Sequence, residues 1–410
     1  MVNDEKNQDL WRRNLHVLWF CTLIAGMAFS EVMPFLSLYV SSFGHFSKQQ
    51  VTLYSGLVYA ATFFVTIFVS PLWGALADRK GRKLMLLRAS LGMAIVIGLM
   101  GTATSVWELF ALRALQGVFS GFISNAQALI ATQTPKKNSG AALSTLMTGA
   151  TSGMLLGPVV GGLLAQIFSI RLTFFITAGL LFLTFILSYF FVHEDFRPIP
   201  HRAPQRGRMR FNPLATLPNP KIIIVLFCST LFVQFGNTSI APIISLYVRE
   251  LMHNIGPITI VAGIIAALPG ISNILSAPHL GRYGDRHGSG RILLFGYLFA
   301  TIMYLPQGFV HSIWLLGLLR FMIGVSDGAL FPEIQTLLTK NSPSEMTSTI
   351  FSWNQSFQAL GNTLGSLLGG LLAGWFNYNA VFISTALLMA INLVLVWWLI
   401  PETRQTRAAA

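Results

Sequence analysis

Charge is scarce in this 410-residue chain, in which Asp, Glu, Lys and Arg together make up 10% of the sequence. A water-soluble globule carries about 25%. That scarcity, with 53% hydrophobic residues, excludes a soluble globular protein. Cysteine is nearly absent. Cys21 and Cys228 are the only two, and both fall in apolar stretches, which excludes a disulfide framework and leaves them as small packing residues. No metal-ligand cluster, nucleophile elbow or His–Asp pair falls in any loop. The chain is therefore read as a non-enzyme, with no catalytic residue, metal or cofactor. No small-residue cleavage site precedes the second apolar run, and the first run is too long for a cleavable leader.

What is present is apolar sequence in long runs: 14–40, 52–77, 84–105, 107–132, 140–166, 170–192, 221–249, 257–281, 291–311, 313–339, 347–375 and 379–400. Runs of about 18 or more apolar residues read as transmembrane helices. The expected fold is an all-α integral membrane protein of twelve transmembrane helices. Basic residues then set its orientation. If both termini share one side, the loops on that side hold 22 of the 27 Lys and Arg residues. Only Lys48, Arg171 and Arg249 fall on the other side, and Arg113 and Arg320 lie inside runs. The positive-inside rule puts both termini in the cytoplasm. This distribution accounts for the net charge of +13 without nucleic acid as a partner. Residues 193–220 are polar, Pro-rich and basic, and form the only long loop. They read as a solvated linker near anionic headgroups, between an N-terminal bundle (1–192) and a C-terminal bundle (221–410).

The two halves repeat. Gly74-Ala-Leu-Ala-Asp78-Arg79-Lys80-Gly81-Arg82-Lys83 is echoed by Gly281-Arg-Tyr-Gly-Asp285-Arg286-His287-Gly288 at an offset of 207. Pro34–Val40 matches Pro242–Val248 at 208; Arg113, Gly117 and Gly121 match Arg320, Gly324 and Gly328 at 207; Gly157, Gly161 and Gly162 match Gly365, Gly369 and Gly370 at 208. A near-constant offset implies two six-helix bundles of one topology, related by an axis along the membrane normal. Transporters so built hold substrate near the midplane and rock one half against the other.

Both charged repeats read as cytoplasmic loops between apolar runs, with glycines allowing close approach and Asp78 placed to accept from a helix N-terminus. The first copy keeps Lys80, Arg82 and Lys83 where the second has His287, Ser289 and Gly290, so Asp78 is expected to matter more than Asp285. Gly149, Gly153, Gly157 and Gly161 recur every fourth residue beside Pro158 and Gly162, a groove suited to close helix packing with a bend at the proline. The second half has Ser366 at the position of Pro158.

Charges inside the runs cost at least ~2.5–3.5 kcal/mol each on insertion scales, so they face protein or water. They are Glu31, Arg113, Arg320, Asp327 and Glu333. Arg113, Gly117 and Gly121 are expected to share a face, as are Arg320 and Asp327. Glu31 and Asp327 read either as proton-coupling or substrate-recognising carboxyls, or as partners in ion pairs with Arg113 or Arg320. Glu333 reads as structural. Asn354, Gln358 and Asn362, with Gln234 and Asn237, either line a wet cavity or bond between helices.

At these residues the chain resembles the major facilitator superfamily over essentially its whole length. Gly74–Lys83 is similar to the family's signature loop. Leu112-Arg113-Ala-Leu-Gln116-Gly117 resembles the fourth-helix motif whose Arg is implicated in proton transfer, and Gly153–Gly162 resembles the fifth-helix motif of its drug:proton antiporters. Val32–Phe35, Ala77–Arg88 and Asn125–Gln133 resemble a group of bacterial multidrug-resistance proteins within that family. The resemblance implies a monomeric, proton-coupled exporter of amphipathic drugs in a bacterial inner membrane, with drugs, protons and lipids as partners. It implies a cavity lined by Glu31, Arg113, Asn237 and Asp327, and a contact from Asp78 to the region of Met346 and Thr347 that holds the outward-facing state. The alternative is a transporter of one metabolite such as a sugar. Pro401-Glu402-Thr403 is similar to the sugar porters' tail motif, but their central-loop motif is absent.

Overall fold

The computed structural model describes residues 2–135, 138–194, 220–342 and 347–400, with the side chains of residues 2–9, Ala75, Asp78, Ser139, Asp285, 347–349 and Ser352 outside the description. Every regular element among the described residues is helical. Helix α1 (Val2–Ser30) leads through a 3-10 turn at Met33–Phe35 into α2 (Leu36–Ser41). Then come α3 (Lys48–Lys80), α4 (Arg82–Thr102), the pair α5 (Val106–Val118) and α6 (Phe122–Gln133), α7 (Ser139–Ile167) and α8 (Ile170–Phe191). The second half runs through the pair α9 (Pro220–Ile240) and α10 (Ile244–Leu251), then α11 (Ile258–His287), α12 (Ser289–Gln307), α13 (Ile313–Asn341), α14 (Thr347–Phe376) and α15 (Tyr378–Leu399).

Eleven spans among the described residues are long and apolar enough to cross a membrane. The remaining expected run forms α14, whose glycines, Asn354, Gln358 and Asn362 dilute its apolar character. Helices are the outcome because hydrocarbon offers backbone N–H and C=O groups no partner outside the segment. α8 shows the resulting polarity. Its buried face carries Thr173, Thr177, Thr184 and Ser188, while Phe182, Phe190 and Phe191 are exposed. Thr177 and Thr184 return their hydroxyls to the Thr173 and Leu180 carbonyls (2.7 and 3.1 Å).

The chain forms two compact units. One comprises Met1–His45, Ala61–Pro200 and Pro257–Ile264, the other Phe46–Ala60, His201–Gly256 and Ile265–Ala410. Part of their internal packing repeats. The Tyr39 hydroxyl donates to the carbonyls of Met100 and Ala103 (2.9 and 3.3 Å), and its ring lies 5.2 Å from that of Phe174. At offsets of 207 and 208, the Tyr247 hydroxyl donates to Gln307 and Val310 (3.0 and 3.2 Å) and its ring lies 5.6 Å from Phe382. A Cβ built on Gly153, Gly157 or Gly161 of α7 would strike Leu23, Ser30 or Glu31 of the first span; one on Gly361, Gly365 or Gly369 of α14 would strike Leu231, Thr238 or Ser239 of α9. These are the same positions shifted by 208. The glycine row is thus a close-packing surface, as its spacing predicts.

The charged repeats are not loops. α3 stays helical through Lys80 and α11 through His287, so the joint to the next helix is a single residue in each copy, Gly81 at φ 93° and Gly288 at φ 103°. No strong helix breaker lies between Gly74 and Lys80, whereas a positive φ selects glycine at the joint. Nor do Gly74 and Gly281 mark close approach, since a Cβ on either would meet nothing within 4 Å. The expected Arg113–Gly117–Gly121 face also ends early. α5 stops at Val118, and Gly121 caps α6 at φ 104°. The carbonyls freed there are taken by Trp73 and Arg88: both donate to the Val118 carbonyl (2.7 and 3.2 Å), and Arg88 also to that of Ser120 (2.7 Å). In the second half α13 continues unbroken past Gly328.

Cys21 and Cys228 are free thiols. Linker residues 195–219 lie outside the described residues. Its start is docked: the Glu194 carboxylate accepts from the backbone N–H groups of Arg82 and Lys83 (2.8 and 2.7 Å), capping α4.

Replacing Gly153 by Ala is expected to cost about 1–3 kcal/mol by overpacking, whereas Gly179→Ala, where nothing lies within 4 Å, should be near neutral. Thermal unfolding of the purified variants in detergent tests this, and equal melting temperatures would contradict the packing role.

Candidate functional site

Two of the intramembrane carboxyls, Glu31 and Asp327, each sit in a hydrogen-bonded cluster, one in each unit. In the first, α1 ends at Ser30 and Glu31 opens the irregular turn before Met33. Glu31 is fully buried. Thr177 on α8 donates to its Oε1, while Oε2 is buried with no hydrogen-bond partner among the described residues. A Cβ on Gly161 would lie 2.5 Å from the Glu31 carbonyl oxygen, so the α7 glycines form the wall on which this turn seats.

The Thr177 hydroxyl has one proton and two acceptors, Glu31 and the Thr173 carbonyl at 2.7 Å. With an ionised Glu31 it donates to the carboxylate. With a protonated Glu31 it can accept from the carboxyl and donate to Thr173. The pair therefore has a hydrogen-bond arrangement for either protonation state. Shifted by 208, the same site in the second unit holds Ser239 and Thr385, whose hydroxyls lie 3.1 Å apart. A carboxyl in one half thus occupies the place of a neutral hydroxyl in the other.

The second cluster centres on Asp327 of α13, which is buried. Asn237 of α9 donates from Nδ2 to Asp327 Oδ2 (3.1 Å), and the Tyr304 hydroxyl of α12 donates to Asn237 Oδ1 (3.1 Å). Tyr304 thereby fixes the Asn237 amide with its N–H groups toward Asp327. At the repeat offsets these three positions are Ser120, Phe29 and Ile97 in the first half, so the network exists in one unit only.

No ion pair joins Glu31 to Arg113, or Asp327 to Arg320, among the described residues. Asp327 and Arg320 nonetheless interact electrostatically across the α13 face. Arg113 is buried; its Nη1 donates to Gln116 Oε1 (2.6 Å), and its carbonyl accepts from Thr62 (2.8 Å). Asn354 accepts from Thr230 between helices (2.7 Å), whereas Asn362 Oδ1 is buried without a partner. Glu333 is buried against Gly284, where any side chain would collide with its carboxylate. The matching positions in the first half, Ala126 and Ala77, are both buried.

In the charged repeats Arg79 and Arg286 are exposed and Arg82 is half-buried. The side chains of Asp78 and Asp285, and the contact expected at Met346–Thr347, lie outside the described residues. Thr177, Tyr304 and Glu194 carry no charge pattern or motif that singles them out in sequence. Thr177 is nonetheless reachable from the repeat register, which pairs it with Thr385 and Glu31 with Ser239.

The helices and their internal repeat define a multi-pass membrane protein of the transporter class. The Major Facilitator Superfamily model matches residues 18–251 and 226–410, and the chain belongs to that family. It is 47% identical to the multidrug resistance protein MdtG of Salmonella arizonae over 94% of this chain and 95% of that protein. It is also 47% identical to MdtG of Serratia proteamaculans over 97% and 96%. A crystal structure of a bacterial homologue of the human lysosomal transporter Spinster, inward-facing and occupied, shares the fold at TM-score 0.78 and 14% identity, covering 96% of this chain and 98% of that one. The peptide transporter POT does so at TM-score 0.75 and 15% identity, covering 97% and 98%.

Removing the hydroxyl in Thr177→Val leaves a buried carboxyl without its donor and is expected to cost about 1–3 kcal/mol; Thr385→Val, which strands only a serine, should cost less. A Glu31→Gln/Thr177→Val double-mutant cycle should show a coupling of at least about 0.5 kcal/mol. Additive losses would separate the two side chains.

Proposed function

We propose that this protein is a proton-coupled multidrug exporter of a bacterial inner membrane, working by alternating access with both termini in the cytoplasm. The observation that carries the reading is the 47% identity, across nearly the full length of both chains, to proteins named for multidrug resistance. Two buried carboxyl groups in separate clusters support the proton-linked part. Glu31 has Thr177 as its hydrogen-bond partner and Asp327 has Asn237, with Arg320 acting on Asp327 through space, so neither carboxyl has to break a direct ion pair to change charge. In a low-dielectric interior such a change alters the local energy strongly.

In this scheme residues 1–192 and 221–410 are the moving halves and 193–220 their tether. A proton arriving from outside neutralises a carboxyl, and an amphipathic substrate leaves as the halves rock outward. Glu31 and Asp327 carry the proton or meet the substrate. Arg113, Arg320 and Asn237 set the local field and hydrogen bonding. Gly153, Gly157, Pro158, Gly161 and Gly162 form the surface on which the Glu31 turn moves. The repeats at Gly74, Asp78, Arg79, Gly81 and Arg82, and at Asp285 and Arg286, gate the cytoplasmic end. The working unit is a monomer in lipid.

Ethidium efflux driven by an imposed proton gradient is expected in the wild type, and its loss in Glu31→Gln, Arg113→Ala and Asp327→Asn. Dye retention by the wild type under an intact gradient contradicts the exporter reading. Normal gradient-dependent efflux in all three variants contradicts the residue assignment instead.

A further inference from the structure

His193 and Glu194, where the basic linker leaves α8, are held by three other helices. Asn14 of α1 donates from Nδ2 to the His193 carbonyl and to Gln133 Oε1 of α6 (both 2.7 Å). Gln133 Nε2 donates to the same carbonyl (2.9 Å), and the His193 backbone N–H donates to Asn14 Oδ1 (3.1 Å). Glu194 accepts from the first N–H groups of α4. The His193 ring adds a contact of a different kind, because it sits between a donor and an acceptor. Its Nδ1 is 2.7 Å from Arg13 Nη2 of α1 and 3.1 Å from the Phe191 carbonyl oxygen.

A guanidinium only donates. The Arg13 bond therefore requires an Nδ1 without a proton, with the ring neutral and its proton on Nε2. Protonation places an N–H at Nδ1. That group can donate to the Phe191 carbonyl but cannot accept from Arg13, and two cations then face each other. Both side chains are exposed, so solvent screens the repulsion and the lost hydrogen bond carries the effect. The other charged and titratable groups on the elements meeting here are Glu194 beside the ring, Arg82 and Lys83 of α4 and Tyr189 of α8. Arg12 and His16 of α1 are engaged with the Trp11 ring and the Arg12 carbonyl, and α6 brings the neutral Gln133.

We propose that His193 is a pH-sensitive anchor at the root of the linker. Neutral, it ties the end of α8 to Arg13 of α1. Protonated, it turns to the Phe191 carbonyl, releases Arg13 and loosens the adjoining Glu194 cap on α4. Histidine takes up its proton between about pH 5 and 8, so the anchor holds on the alkaline side and loosens as pH falls. The cap it steadies lies beside Gly81, the joint of the first charged repeat. With the termini in the cytoplasm, which belongs to the exporter reading, the anchor responds to pH on the side where a proton-driven exporter delivers its protons.

The test is amide hydrogen exchange, read by mass spectrometry on the purified full-length protein in detergent at about pH 8 and about pH 6. Each rate is divided by the intrinsic rate at that pH. Peptides carrying the amides of His193, Arg82 and Lys83 report on the anchor, and the interior of α8 serves as the control. In the wild type the anchor amides are expected to lose about threefold to tenfold in protection at the lower pH, the size of one hydrogen bond. The α8 interior should not change. His193→Gln keeps a side-chain oxygen that accepts from Arg13 and cannot titrate, so its protection should stay high at both pH values. Arg13→Met removes the donor and should show the low protection at both. Equal wild-type protection at the two pH values, or the wild type's pH dependence persisting in His193→Gln or Arg13→Met, overturns the proposal. The measurement uses neither gradient nor substrate, so failure of ethidium efflux bears on the exporter reading alone.

Discussion

Backbone packed directly on backbone is the interaction on which this structure rests. In hydrocarbon, burying apolar side chains gives helices no hydrophobic reason to associate, so close van der Waals contact and hydrogen bonds must do so. The α7 row of Gly153, Gly157 and Gly161 brings that helix against the α1 backbone, and the α14 row does the same against α9. The Glu31 turn follows from this contact. A side chain on Gly161 would occupy the space now held by the Glu31 backbone and Cβ. The small-residue row therefore both assembles the bundle and makes room for its buried carboxyl.

Duplication supplied the scaffold, and substitution at matched positions supplied the chemistry. Glu31 stands where the other half has Ser239, Asp327 where it has Ser120, and Glu333 where it has Ala126. Each exchange has a local accommodation. Thr177 meets Glu31, the Tyr304–Asn237 pair meets Asp327, and the absent side chain of Gly284 admits Glu333. Each acidic group is thus present in one unit only, in a site shaped for it. The frame itself, with paired tyrosines at 39 and 247 closing onto paired carbonyls, stayed unchanged.

The spans, the repeat and the glycine rows were legible in the sequence because each is periodic: apolar length, an offset of 207–208, and a spacing of four. The buried charges were legible because a carboxyl in an apolar run is costly and therefore conspicuous. The partners were not. Thr177 and Tyr304 look like ordinary helix residues, and only three-dimensional packing gives them their acceptors. The repeats read as loops because they are charged and bounded by glycine, but charge at a membrane surface does not end a helix, and Gly74 sits where nothing approaches it. The break at Val118 was hidden for the opposite reason: the carbonyls it frees are taken by Trp73 and Arg88 from other helices, so no local capping residue marks it.

The single-residue joint at Gly81 has a mechanical consequence. α3 is 33 residues long, which at 1.5 Å per residue is a rod of about 50 Å, well beyond the ~30 Å hydrocarbon layer. Arg79 and Lys80 ride on the tip of that rod, and α4 starts at once beyond Gly81 with its first N–H groups gripped by Glu194. Torsional freedom between the two rods is concentrated in one pair of backbone angles. Rotation at Gly81 therefore changes the angle between α4 and the C-terminal turns of α3.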